Sequence, residues 1–91
     1  MRRLIWSTDA IDDLRAIRSY IAESNPGAAS RVAAALVKAA DGLVAFSNRG
    51  RPVRSGIREL TTVPPYVIRY VVLPDEVRIA FIRHSARRPK L

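Results

Sequence analysis

The first apolar run along the chain is short. Leu4-Ile5-Trp6, within residues 2–6, predicts a strand. Thr8 then reads as a helix N-cap, and Asp9, Asp12 and Asp13 follow where the positive end of a helix dipole favours carboxylates. Ala10, Leu14, Ile17 and Ile21, with Ile11 beside them, recur at helical spacing and form one apolar stripe, while Asp12, Arg15 and Glu23 fall on the other face. Asn25-Pro26-Gly27 breaks the pattern: Asn25 suits a second N-cap and Pro26 the first helical position, where a missing N–H costs nothing. Ala29, Val32, Ala33, Leu36, Ala40, Leu43 and Val44 then keep helical spacing to about Phe46. The small side chains of this segment allow close helix approach, so residues 9–46 predict an antiparallel helical hairpin.

Past the hairpin the period changes. Residues 47–56, with Gly50, Pro52 and Gly56 as punctuation and Arg49, Arg51 and Arg54 as charge, read as a loop. Three strands are predicted after it, at Ile57–Thr62, Tyr66–Leu73 and Glu76–Arg83. In the second, Tyr66, Ile68, Tyr70 and Val72 share one face and Arg69 takes the other; in the third, Val77, Ile79 and Phe81 alternate with Arg78, Ala80 and Ile82. Short connections favour an antiparallel meander, and residues 84–91 form a basic tail. The order β-α-α-β-β-β predicts an α+β two-layer sandwich: a helical hairpin packed on a small, mainly antiparallel sheet, with the first strand at one edge. Such an edge is open to pairing with a partner's strand.

Composition bounds this picture. With 91 residues the chain has the length of one domain, 1–91, and no cysteine is present to add disulfides or thiolate metal ligands. A single histidine and scattered carboxylates make a metal site unexpected, and no cofactor motif is present. The N-terminal apolar run is too short for a signal peptide and no run approaches a membrane span, so a cytoplasmic protein with no membrane partner is expected.

Charge changes the picture more. The net charge is +8, and residues 1–48 carry six basic and five acidic side chains against ten and three in residues 49–91. Arginine supplies 14 of the 16 basic residues, the side chain suited to bidentate contact with carboxylate or phosphate. An anionic partner is expected. His84 is the one side chain whose ordinary pKa suits proton transfer near neutrality, and it lies among Arg83, Arg87 and Arg88. Cleavage by general acid and base needs a second group, for which Glu59 is the candidate; Glu59 equally suits an ion pair with Arg58 or Arg69.

Several segments taken together resemble a known family. Trp6, Asp13-Leu14, Tyr20-Ile21 and Asn25-Pro26-x-Ala28-Ala29-x-Arg31-Val32 look like the ParE branch of the RelE/ParE toxins. Gly50-Arg51-Pro52, Gly56-Ile57-Arg58-Glu59-Leu60, Pro65-Tyr66-Val67-Ile68-x-Tyr70 and Val77-x-Ile79-x-x-Ile82-x-His84 continue the match in order across the chain. The resemblance implies the toxin of a bacterial type II toxin–antitoxin system, neutralised by a cognate ParD-, RelB- or Phd-like antitoxin in a hetero-oligomer. Operator DNA would then be met only through the antitoxin.

RelE-like members cut messenger RNA on the ribosome, whereas ParE-like members are associated with inhibition of DNA gyrase. The RNase members usually carry arginine where Val67 stands, and the middle of this chain has no lysine cluster, so the resemblance implies the ParE-like role with the RNase as alternative. The candidate target-binding residues are Arg58, Arg69, Arg83, His84, Arg87 and Arg88. If the chain is an RNase, Arg58, Glu59, Arg83 and His84 are the catalytic candidates. For the antitoxin, the apolar Leu14, Ile17, Ile21 and Leu36 and the basic Arg49, Arg51 and Arg54 are the candidates.

Overall fold

The computed structural model describes residues 2–86, so Arg87 and Arg88 lie outside the described residues. Strand β1 spans Arg3–Trp6 and leads into helix α1, Thr8–Ala22. The N-cap is Ser7 rather than Thr8: its Oγ accepts from the Ala10 N–H at 3.0 Å, and Thr8 already has a helical place. Asn25 caps helix α2, Pro26–Asp41, by accepting from the Ala28 N–H, with Pro26 as the first helical residue. The α-helix stops at Asp41, short of the expected Phe46. A 3-10 turn over Gly42–Val44 buries Leu43 and leaves Phe46 exposed.

The segment expected as an uninterrupted loop holds a further strand. Strand β2, Arg51–Arg54, runs antiparallel to β3, Ile57–Val63, through a turn in which Gly56 adopts φ 75°, a conformation that suits glycine. The period of two was hidden because all four side chains of β2 are exposed, which leaves no apolar alternation to read. Strands β4, Tyr66–Val72, and β5, Glu76–His84, complete a five-stranded sheet of order β1-β5-β4-β3-β2. The first strand does join at an edge; it lies parallel to β5, while the other pairs are antiparallel.

Both helices pack on one face of this sheet. Ala10, Leu36, Ala40 and Leu43 meet Leu60, Ile68, Tyr70, Val77, Ile79 and Ile82 in a single core, with Leu4, Trp6, Leu14, Ile17 and Ile21 at its margin. The alternation along β5 does not run through as expected. Arg69 lies opposite Phe81 but Tyr70 opposite Ile79, so Ala80 is an extra residue, a β-bulge. Beyond it the phase reverses: Ile82 joins Val77 and Ile79 in the core, and Phe81 turns to the face away from the helices.

Helix α1 holds the bulge in place. The Ser7 N–H donates to the Ile79 carbonyl at 3.0 Å, and the Ser7 hydroxyl to the Ala80 carbonyl at 2.7 Å. The Ile82 N–H, which lies past the end of the β1 pairing, donates to Asp13 Oδ2 at 3.0 Å.

Candidate functional site

Three surfaces carry the chain's chemistry, and Arg83 adjoins two of them. The first is the outer groove between the helices. Leu14, Ala33, Ala34 and Val37 form its floor, Arg15, Arg18 and Lys38 stand around it, and Asp41 closes one end of a hollow of about 490 Å³. The alanines of α2 let the helices approach, and the basic side chains take the solvent side. Of the residues expected to meet an antitoxin, Leu14 lines this groove. Ile17 and Ile21 lie partly buried at the core margin, and Leu36 is fully buried, so it presents no surface. Val37, one residue on and 38% exposed, takes the outward place that Leu36 does not. Its signal was legible: Ala33 and Val37 repeat at i, i+4, one step around the helix from Leu36 and Ala40.

The second surface is the open face of the sheet. Glu59 lies there on β3, only 4% exposed, and three arginines converge on it. Arg51 Nη2 donates to Oε1 at 3.0 Å, while Arg69 donates through both Nε and Nη2, and Arg83 through Nη2 at 3.3 Å, to Oε2. Burial pushes the Glu59 carboxyl upward, but the Arg69 hydrogen bond and the charges of Arg69, Arg83 and Arg51 outweigh it and hold the group below the usual carboxylate range. It therefore stays an anion at neutral pH.

Phe81 lies against the same cluster. The guanidiniums of Arg69 and Arg83 stand 5.2 and 5.6 Å from its ring centroid, within cation–π range. The alternation read from the sequence placed Phe81 on the same strand face as Val77 and Ile79. Strict alternation gives no sign of the bulge that turns it, half-buried, to the other face.

The third surface is a corner at the end of the sheet. His84 follows Arg83 on β5 and so points to the opposite face, the side of the helices. Its ring meets Tyr66 edge-to-face at 5.6 Å, and Nδ1 accepts from the Ala86 N–H at 3.1 Å. With Arg83, and with Asp13, Ile17 and Tyr20 of α1, it lines a hollow of about 400 Å³. Arg58 lies elsewhere again. It alternates with Glu59 on β3, and its Nη1 donates to the Gly50 and Asn48 carbonyls, pinning the segment before β2.

Tyr70 secures the same segment. Its hydroxyl donates to the Ser47 carbonyl at 2.7 Å and accepts from the Gly50 N–H at 2.8 Å, and burial raises the phenol's pKa so that it keeps its proton. Arg49 stacks on Phe46, and Arg54 stands exposed at the β2 edge. Arg69, Arg83 and Glu59 are thus brought together; Arg58 stands apart from them, and His84 lines the corner hollow beside Arg83, on the opposite face from Glu59. No group of three or more histidine or carboxylate side chains placed to hold a metal is found among the described residues.

The family is decided by comparison with known proteins. A family model described as the ParE toxin of the type II toxin–antitoxin system, parDE, matches residues 4–89. The chain belongs to the ParE toxin family. Toxin RelE2 of Caulobacter vibrioides is 48% identical over 87 residues, covering 96% of this chain and 99% of the relative. Putative toxin Y4kP of Sinorhizobium fredii is 36% identical, covering 92% and 88%.

A solved structure of a chromosomal ParDE system from P. aeruginosa superposes with a TM-score of 0.81 at 28% identity, over 92% of this chain and 96% of that one. This ParE-family chain is therefore the toxin of a type II toxin–antitoxin system, with two helices on a five-stranded mixed sheet and an antitoxin as partner. No described helix of the toxin is long and apolar enough to cross a membrane.

Proposed function

We propose that this toxin arrests growth from the cytoplasm by binding DNA gyrase, and that its antitoxin neutralises it by laying an acidic, amphipathic segment into the groove between the helices. One observation carries the gyrase reading. The two candidate proton-transfer groups, Glu59 and His84, lie on opposite faces of the sheet, and Glu59 is held ionised by three arginines. A general acid and a general base must reach one substrate together. A site made of guanidiniums and a locked carboxylate binds; it does not shuttle protons.

For the antitoxin, the support is the groove itself, with an apolar floor and Arg15, Arg18 and Lys38 around it. The exposed outer edges of β1 and β2 offer further backbone pairing.

Cleavage of messenger RNA is the alternative. It is favoured by the name of the 48%-identical relative, RelE2, and by an aromatic ring flanked by two arginines, which suits a base and its phosphates. Expressing the toxin without antitoxin separates the two. The gyrase reading expects DNA-damage signalling with intact transcripts. Codon-dependent transcript cleavage that His84→Ala abolishes would overturn it.

A further inference from the structure

The bulge at Ala80 is the least economical feature of the sheet. Without it, Phe81 would continue the core face of Val77 and Ile79. With it, Ser7, the N-cap of α1, is committed to the Ala80 carbonyl and Asp13 of α1 to the Ile82 N–H. Bulges re-aim side chains, and what this one re-aims is the Phe81 ring, set between the guanidiniums of Arg69 and Arg83 on the face the helices do not cover.

The rest of that face follows from the register. Ile57 and Val71 are paired, Val67 lies opposite Arg83, and Ile5 lies opposite Arg78. Apolar side chains therefore alternate with arginines on this face, Val67 buried and Phe81, Ile57 and Val71 half-buried among them. Arg3, Arg51, Arg69, Arg78 and Arg83 share the face with two carboxylates, Glu59 and Glu76, so it carries a net positive charge. Glu59 is almost sealed and spent on three arginines; Glu76 is paired with Arg78.

We propose that this open sheet face, centred on Phe81, Arg69 and Arg83, is where the toxin grips its protein target, and that it takes an amphipathic segment bearing carboxylates. The inference rests on the gyrase reading and assigns it a surface. An aromatic ring and arginines amid aliphatic side chains is the make-up of a protein–protein hot spot. A nucleic-acid interface is more uniformly polar and cationic than this mixture. Arg69 and Arg83 are pre-positioned by Glu59 and by the ring, so little side-chain entropy is lost on docking. This face lies on the opposite side of the sheet from the helices and the groove between them, which leaves target and antitoxin with separate primary contacts.

The test measures binding of purified DNA gyrase to immobilised wild-type toxin, Phe81→Ala and Arg83→Gln, with circular dichroism and thermal melting confirming the fold of each. The expected result is tight, salt-sensitive binding by the wild type and at least about tenfold weaker binding by a folded Phe81→Ala, with a smaller loss for Arg83→Gln. Arg83→Gln decides the matter if Phe81→Ala fails to fold, because it keeps the ring. Wild-type binding that neither folded variant weakens overturns the surface and leaves the gyrase reading standing. Absence of wild-type binding overturns the gyrase reading and the surface with it. Displacement of bound gyrase by a single-stranded RNA oligonucleotide that itself binds through Phe81 overturns the assignment of a protein occupant.

Discussion

On the helix side of the sheet, Leu60, Ile68, Tyr70, Val77, Ile79 and Ile82 are sealed by Ala10, Leu36, Ala40 and Leu43. On the other side the same strands present Glu59, Arg69, Phe81 and Arg83, with Val67 beside them, and no described helix covers them. The covered face is closed by removing apolar area from water, a term that is non-directional. The open face is organised by directed charge: one carboxylate fixes three guanidiniums. The difference separates stability from recognition. Changes on the covered face should unfold the toxin, and changes on the open face should alter what it binds while costing less.

The largest effect is expected from Leu36→Ala. Leu36 of α2 is fully buried in the core, so its truncation should cost about 3 kcal/mol, read as a lower urea midpoint at unchanged slope. Glu59→Gln should come next. It leaves three arginines without their anion, at a cost of about 1–3 kcal/mol, reduced from the fully buried case because the arginines reach solvent.

The same residue sets a pH dependence. Because the folded pKa of Glu59 is depressed below its ordinary value of 4.5, its contribution is fully present above that pH. That contribution is lost as the pH falls through the folded value. Thermal melts from pH 7 downward should show this acid-side loss in the wild type and a smaller one in Glu59→Gln.

Asp13→Ala joins the two faces. It removes the acceptor for the Ile82 N–H at the bulge and should cost about 1–2 kcal/mol. It should also loosen the placement of Phe81, visible as faster hydrogen exchange at residues 80–82. The smallest effect is expected for Arg78→Ala. Its pair with Glu76 is an exposed surface ion pair, so stability should change by less than about 0.5 kcal/mol.

What could be read in advance followed the same division. The covered face was legible because burial imposes a period. Ala10, Leu14, Ile17 and Ile21 announced α1, Asn25-Pro26 announced the start of α2, and Tyr66, Ile68 and Tyr70 announced the core side of β4. The open face was legible only as composition, an excess of arginine. Strand β2 was missed because its side chains are all exposed and leave no alternation. Phe81 was misplaced because one extra residue reverses every later side chain, and the side chains bonded to the backbone there, Ser7 and Asp13, lie far away in the chain. Glu59 was recognised as either a proton-transfer group or an ion-pair partner. Choosing between them required knowing that Arg51, Arg69 and Arg83 meet on its side of the sheet.

The central claim is that this ParE-family toxin binds its target rather than cutting it. The most direct measurement pairs a gyrase supercoiling assay with a ribosome-dependent messenger RNA cleavage assay on the same purified toxin, with and without the cognate antitoxin. The account predicts inhibition of supercoiling, relieved by antitoxin, with the messenger RNA left intact. Cleavage of the message with supercoiling unaffected would contradict it.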